Sequence, residues 1–366
     1  MESPGRWERI ASAMRESEDL RVGVVGAGLM GADHVARITS KTAGARVSAV
    51  IEPDQGRATA AAALAPGARV FQRIEDALED GVVDAVLIAT PGRFHEAVIR
   101  PVLEVGLPIL CEKPLTPDPE SGWRVLEAEK ATGRKLIQIG FMRRFDPEYR
   151  QLRTLIEAAP AGELLMLRGV HRNPSVPDSY TQQMLINDSV VHEFDVIPWL
   201  AGSAIRTVEV RYGRRNSLSP DHLREPILVI MELENGVLVD AEMNVSVQFG
   251  YQVATEAVFQ RGIARIGQPA GLQLWSDGIV QVEEHGSFAT RFSVAYDIEL
   301  QDWVNAARLG TIGGPSAWDG YKVAVACAAG VEALRSPGPV TVELPARPDF
   351  YSDHTAAQTA QGSTNS

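Results

Sequence analysis

Cysteine is nearly absent from this chain: two occur among 366 residues, Cys111 and Cys327, both within apolar stretches. Two such residues supply neither a disulfide framework nor a metal-ligand spacing, so no metal is expected and a reducing compartment fits. Long apolar runs are also missing. None approaches the roughly 18–20 residues that span a bilayer, and the N-terminus lacks the apolar run of a signal peptide. The expected place is the cytoplasm. Positive charge is scarce: 35 Lys and Arg stand against 47 Asp and Glu, a net charge of −12. Nucleic acid or an anionic membrane as partner needs a basic footprint, which this balance disfavours.

What is present suits a two-domain globular protein, with 45% apolar and 22% charged residues. Residues 1–19 read as an N-terminal extension, in which Trp7, Ile10, Ala11 and Met14 fall at the spacing of one short amphipathic helix. Residues 20–140 alternate short apolar runs with helical stretches. Arg21 to Val25, Val47 to Ile51, Ala85 to Ala89, Pro108 to Cys111 and Leu136 to Ile139 are the expected strands. Such runs with helices between them predict an α/β, doubly wound parallel sheet covered on both faces.

Residues 141–354 follow a different grammar, an α+β domain with a large, mainly antiparallel open sheet. Its expected strands are Leu164 to Arg172, Val208 to Arg215, Ile227 to Leu233, Val237 to Val247, Glu256 to Gln260, Ala264 to Ile266 and Ile279 to Glu284. Asn235-Gly236 predicts a two-residue hairpin. Helices are expected over Ser189 to Leu200, Val294 to Leu309 and Trp318 to Ala333. Residues 355–366 are small and polar, and disorder is expected there.

Three clusters carry chemistry. The first strand runs directly into Gly26-Ala27-Gly28-Leu29-Met30-Gly31 and then a helix. In that setting Gly26 allows the tight turn, Gly28 lets backbone approach a pyrophosphate, and Gly31 permits close packing, with the helix N-terminus facing the phosphates. Glu52 ends the second strand 21 residues after Gly31, placed to bond both ribose hydroxyls, and Pro53 follows it. A 2′-phosphate would be repelled there, so NAD is expected rather than NADP, although Arg57 lies one turn on. Thr90 and Pro91 lie at the carboxyl edge, where open α/β sheets bind ligands. His95 is either a cofactor contact or a helix-start histidine that packs.

Glu112-Lys113-Pro114 sits at the end of another strand. A lysine there is suited to orient a hydroxyl and steady charge developing on its oxygen, and the proline after it fixes an extended backbone. Asp188 and His192 stand at i and i+4. Their spacing fits an acid/base pair in which the carboxylate fixes the imidazole tautomer; equally, it fits a helix-start aspartate beside a half-buried histidine.

These residues, with Cys-Glu-Lys-Pro-Leu at 111–115, Gly-Phe-Met-Arg-Arg-Phe-Asp at 140–146, His-Arg-Asn-Pro at 171–174, Asp-Ser-Val-Val-His-Glu-Phe-Asp at 188–195, Ala-Tyr-Asp at 295–297 and Ala-Trp-Asp-Gly-Tyr at 317–321, resemble the Gfo/Idh/MocA oxidoreductases from about Leu20 to Tyr351. The Met-Arg-Arg-Phe-Asp and His-Arg-Asn-Pro segments point to the branch acting on inositols. The resemblance implies a Rossmann domain, an open-sheet C-terminal domain and a homo-oligomer, a tetramer assembled through that sheet. Lys113, Asp188 and His192 would be catalytic, with His192 the general acid/base. Met142, Arg143, His171, Asn173, Tyr251 and Tyr296 would meet a cyclic polyol. The implied reaction is oxidation of a ring hydroxyl, with myo-inositol giving an inosose; scyllo-inositol, an amino- or keto-inositol, a pyranose, or a non-catalytic sensor on the same fold are the alternatives. Asn187 and Gln252 depart from the pattern, where an apolar and an acidic residue are expected.

Overall fold

The computed structural model describes residues 19–268, 273–276 and 278–352. The helix expected from Trp7 to Met14 and the tail from 355 lie outside the described residues. Six strands form a parallel sheet: β1 (Leu20–Val25), β2 (Ala45–Ile51), β3 (Arg69–Phe71), β4 (Ala85–Ile88), β5 (Ile109–Glu112) and β6 (Ile137–Gly140). Their spatial order is β3-β2-β1-β4-β5-β6. Every residue of β4, β5 and β6 is buried, which is why they read as apolar runs. The short edge strand β3 was not visible in the sequence, because its three residues are exposed or half-buried and leave no apolar signature. Strand order reverses between β1 and β4, and a crevice opens beyond their carboxyl ends. The helix α1 (Leu29–Lys41) starts at this crevice.

A second sheet holds β7 (Leu164–Arg172), β8 (Ile205–Tyr212), β9 (Ile227–Leu233), β10 (Leu238–Asn244), β11 (Gln252–Phe259) and β12 (Gly262–Ile266). A separate ribbon pairs β13 (Gln273–Ser276) with β14 (Ile279–Val282), and β15 (Val340–Thr341) returns to the edge beside β8. The order is β12-β11-β7-β10-β9-β8-β15, antiparallel except where β7 meets β10. β11 begins earlier than its apolar pattern suggested, since Gln252 pairs across to Arg172. Residues of β9 alternate between buried and half-buried, the mark of a sheet covered on one face.

The β9–β10 hairpin is present, but its loop has three residues rather than two. Leu233 N–H bonds the Val237 carbonyl and Gly236 N–H bonds the Leu233 carbonyl, with Gly236 at φ +84°. Asn235 is not left-handed, so the tight turn with two positive φ angles is not formed.

Three helices decide where the chemical residues go. α2 (Val191–Ala201) follows a wider π-helical turn, Leu185–Val190, where a regular helix was expected. α3 (Ser293–Arg308) crosses back to the first sheet, and its Leu300, Trp303, Val304 and Ala307 join the core of Leu20, Val22, Val35 and Leu110. α4 (Ala317–Ala333) opens with a capping box, Ser316 with Asp319, and packs against α2 and β8. No helix among the described residues is long and apolar enough to cross a membrane.

Candidate functional site

Two cavities lie along the carboxyl edge of the first sheet. The larger, about 600 Å³, is bordered by Gly26, Gly28, Glu52, Pro53, Thr90 and Pro91. Each glycine of the loop has a distinct reason. Gly26 has φ +91°, and a Cβ on Gly31 would fall 1.9 Å from the Gly26 carbonyl oxygen. Around Gly28 nothing lies within 4 Å of a would-be Cβ, so its backbone is open to a ligand. Gly28 is also the N-cap of α1, where no side chain caps the helix and no acid occupies the first turn. Those amides and the helix dipole are left for an anion.

The Glu52 carboxylate borders this cavity and is itself held. It accepts from Ala27 N–H (2.9 Å), Asp54 N–H (3.0 Å) and an Arg57 guanidinium N–H (2.8 Å). Burial works against its charge, but these bonds outweigh burial and keep its pKa below the ordinary carboxyl value. Arg57 is thereby tied to Glu52. The Thr90 hydroxyl is buried without a partner. An uncapped helix start, a fixed carboxylate and an unpartnered hydroxyl fit the pyrophosphate and ribose of a dinucleotide. Ala27 contributes its amide to Glu52 rather than a surface. His95 lies elsewhere: fully buried, its ring nitrogens sit 2.8 Å from the Pro114 carbonyl and 2.7 Å from the Thr90 carbonyl, tying two strand ends together. It borders neither cavity.

The smaller cavity, about 230 Å³, begins where α1 starts, with Leu29 and Met30 as one wall. Glu112 and Lys113 reach it from β5, Met142 from the turn after β6, His171 and Asn173 from the end of β7. Asp188 and His192 come from the π turn and α2, and Tyr251 and Tyr296 from the sheet and α3. Ser189 and Phe288 complete it; Ser189 sits within the 188–195 segment without a role expected of it, and Phe288 lies in no motif.

Lys113 Nζ donates to Asp188 Oδ1 (2.8 Å) and to the Asp188 carbonyl (3.1 Å). Although burial opposes it, the lysine keeps the Asp188 carboxyl below its ordinary pKa. This corrects the expected partnership: the π turn intervenes, and the carboxylate serves Lys113, not the His192 ring. Among the described residues His192 makes no side-chain hydrogen bond. Burial first, then the positive groups of Lys113 and Arg143, push its pKa well below the usual imidazole range, so the ring is neutral and ready to accept a proton. The Glu112 carboxylate faces His34 Nε2 at 2.7 Å. Asn173 Oδ1 is buried and unpartnered, suited to a ligand hydroxyl.

Arg143 was expected against the polyol and is not there. It is buried behind His171, with its guanidinium 2.5 Å from Glu193 Oε1. Gln252 is likewise removed from the cavity, accepting from Arg172 at 2.6 Å. No group of His, Cys, Asp and Glu among the described residues has the arrangement to hold a metal ion.

Residues 20–141 match the model of the oxidoreductase family with an NAD-binding Rossmann fold, and residues 149–265 match the GFO/IDH/MocA C-terminal domain. Inositol 2-dehydrogenase of Corynebacterium glutamicum is 65% identical over 336 residues, covering 92% of this chain and 99% of the relative. Among solved structures, myo-inositol dehydrogenase from Lactobacillus casei in complex with NAD(H) and myo-inositol aligns with a TM-score of 0.88 at 31% identity, over 91% of this chain and 100% of that one. The apo scyllo-inositol dehydrogenase of the same organism aligns at 0.83 and 26% identity, over 89% and 98%. The glycine loop, the fixed carboxylate, the cavity beside them that gathers Lys113, Asp188 and His192, and near full-length kinship together place this chain in the Gfo/Idh/MocA oxidoreductase family, with that family's NAD-binding Rossmann fold.

Proposed function

We propose that this protein is an NAD-dependent inositol 2-dehydrogenase, oxidising a secondary ring hydroxyl of myo-inositol to the ketone. One observation carries the reading: Lys113, Asp188 and His192, far apart in the chain, share a cavity with the start of the glycine-loop helix. Bound NAD supplies the hydride acceptor. Gly28, the first amides of α1, Thr90 and Glu52 hold the dinucleotide. Lys113, oriented by Asp188, donates to the substrate oxygen and stabilises the charge that builds there. The neutral His192 ring takes the hydroxyl proton. Met142, His171, Asn173, Tyr251 and Tyr296 bound the space for a cyclic polyol of several hydroxyls.

Kinship supports the substrate class, since the relative at 65% identity is named for inositol and the scyllo-inositol enzyme is only 26% identical. The test is NADH formation with myo-inositol, scyllo-inositol, glucose and xylose at alkaline pH. Myo-inositol should give the highest kcat/KM. Preference for scyllo-inositol or a pyranose moves the assignment within the family, and no NADH with any of them overturns it in favour of a sensor. We further propose a cytoplasmic homotetramer joined through the open face of the second sheet, where Arg168–Asp240, Arg168–Glu256 and Arg172–Glu242 ion pairs cross neighbouring strands. Light scattering should return four times 39.6 kDa.

A further inference from the structure

Arg143 is almost completely buried, and its surroundings define the proton arrangement on His171. One guanidinium nitrogen bonds Glu193 Oε1 at 2.5 Å, and another lies 3.1 Å from His171 Nδ1. A guanidinium has N–H donors and no acceptor. The 3.1 Å contact is therefore a bond only if Nδ1 presents its lone pair. The Glu193 carboxylate lies 3.5 Å from the same Nδ1 and would favour the opposite tautomer. That distance is at the outer edge of hydrogen bonding, whereas the arginine contact lies within the ordinary range and has a charged donor. The arginine wins.

We propose that Arg143, anchored by Glu193, is a positioning residue that holds His171 as the Nε2–H tautomer, so that His171 offers the polyol a hydrogen-bond donor while His192 remains the acceptor. His171 lines the cavity, and its Nε2, the ring nitrogen not engaged by Arg143, lies 3.5 Å from the Tyr251 hydroxyl, too long to be a strong bond, so its N–H is available to a ligand oxygen. Asn173 follows two residues later and so shares the His171 side of the strand, while Arg172 points away to Glu242 and Gln252. A donor from His171 and the unpartnered Oδ1 of Asn173 form a pair matched to one hydroxyl, which accepts from the first and donates to the second. The two imidazoles in this cavity, with ring centroids 6.1 Å apart, thus have opposite tasks.

The role of this pair rests on the polyol-oxidising reading, but the tautomer can be tested without substrate. In the full-length protein with ring-15N histidine, long-range 1H–15N spectra should show His171, assigned by its loss in His171→Gln, as a neutral ring protonated at Nε2. A ring protonated at Nδ1 in the wild type overturns the proposal, even if no Arg143 variant folds. In Arg143→Met the ring should turn to Nδ1–H, donating to Glu193; an unchanged Nε2–H signature also overturns it. With inositol as substrate, Arg143→Met should lose about tenfold to a hundredfold in kcat/KM, mostly through KM, the size expected for an unsatisfied buried polar group. Arg143→Lys, which keeps charge and a donor, should recover part of that loss together with the Nε2–H signature. If the spectra agree but no inositol is oxidised, the functional reading fails and the tautomer assignment stands.

Discussion

The two faces of α2 are held by consecutive arginines, and they use the same chemistry for different ends. On the cavity side Arg143 pairs with Glu193, and His192 stands beside it. On the other side Arg144 bonds both oxygens of Asp195 at 3.0 Å and also reaches Asp319 at 3.3 Å, the residue that closes the capping box of α4. Arg143 is buried and Arg144 half-buried, each against a buried carboxylate. Only the first pair adjoins residues that line the smaller cavity, His171 and His192. The contrast teaches that a buried ion pair on a cavity-lining helix is not by itself part of the cavity's chemistry. Its position relative to the cavity decides whether breaking it disturbs turnover or folding.

The hardest attempt to break this comparison is His192→Ala. Loss of a general base should lower kcat by about 10²–10⁴-fold, with NAD affinity and thermal midpoint little changed; undiminished kcat removes His192 from the chemistry. Next in size is Arg144→Met, which strands the Asp195 charge in the interior. Urea denaturation should show a loss of about 3–5 kcal/mol, while kcat of the folded protein stays within a few-fold. Should kcat collapse with stability intact, the two faces are not separate in function.

A third experiment sharpens the boundary between α2 and the nucleotide crevice. Glu52→Ala frees Arg57 and removes the negative charge beside the ribose, so the wild-type preference for NAD over NADP should shrink by about tenfold or more, measured as a ratio of kcat/KM. A wild type that already prefers NADP contradicts the role given to Glu52. The smallest effect is on pH. Because burial and the neighbouring cations hold the His192 pKa well below its ordinary value of 6.5, the neutral base persists as pH falls through that value. The acid limb of kcat/KM for oxidation should then break below 6.5. If it breaks above, the imidazole is charged in the resting site and the electrostatic account is wrong.

Some of this architecture was legible in the residues. The glycine loop could be read because each glycine answers a local backbone demand, and Glu52 because a strand end places it. β5 and β7 could be read because burial on one or both faces writes a pattern of apolar residues. β3 could not, since an exposed edge leaves no such pattern, nor could the π turn, which spends the same residue types as an α turn. That turn separates Asp188 from His192 and sends the carboxylate to Lys113, so a spacing rule drawn from regular helices brought the two residues to one cavity but paired them wrongly. Arg143 went astray for a related reason: its neighbour Met142 faces the cavity, and only the packing of Phe292 and Glu193 shows that the guanidinium turns inward.

By itself, then, the order of amino acids determined whatever depends on a few successive residues: the parallel sheet, the glycine loop that opens the first helix and the carboxylate at the end of the second strand. The tertiary structure alone decided which group faces which, because proton positions and hydrogen-bond partners are set by atoms within about 3 Å of one another. His171 and Glu193, 22 positions apart, share one guanidinium, and no local pattern records that meeting.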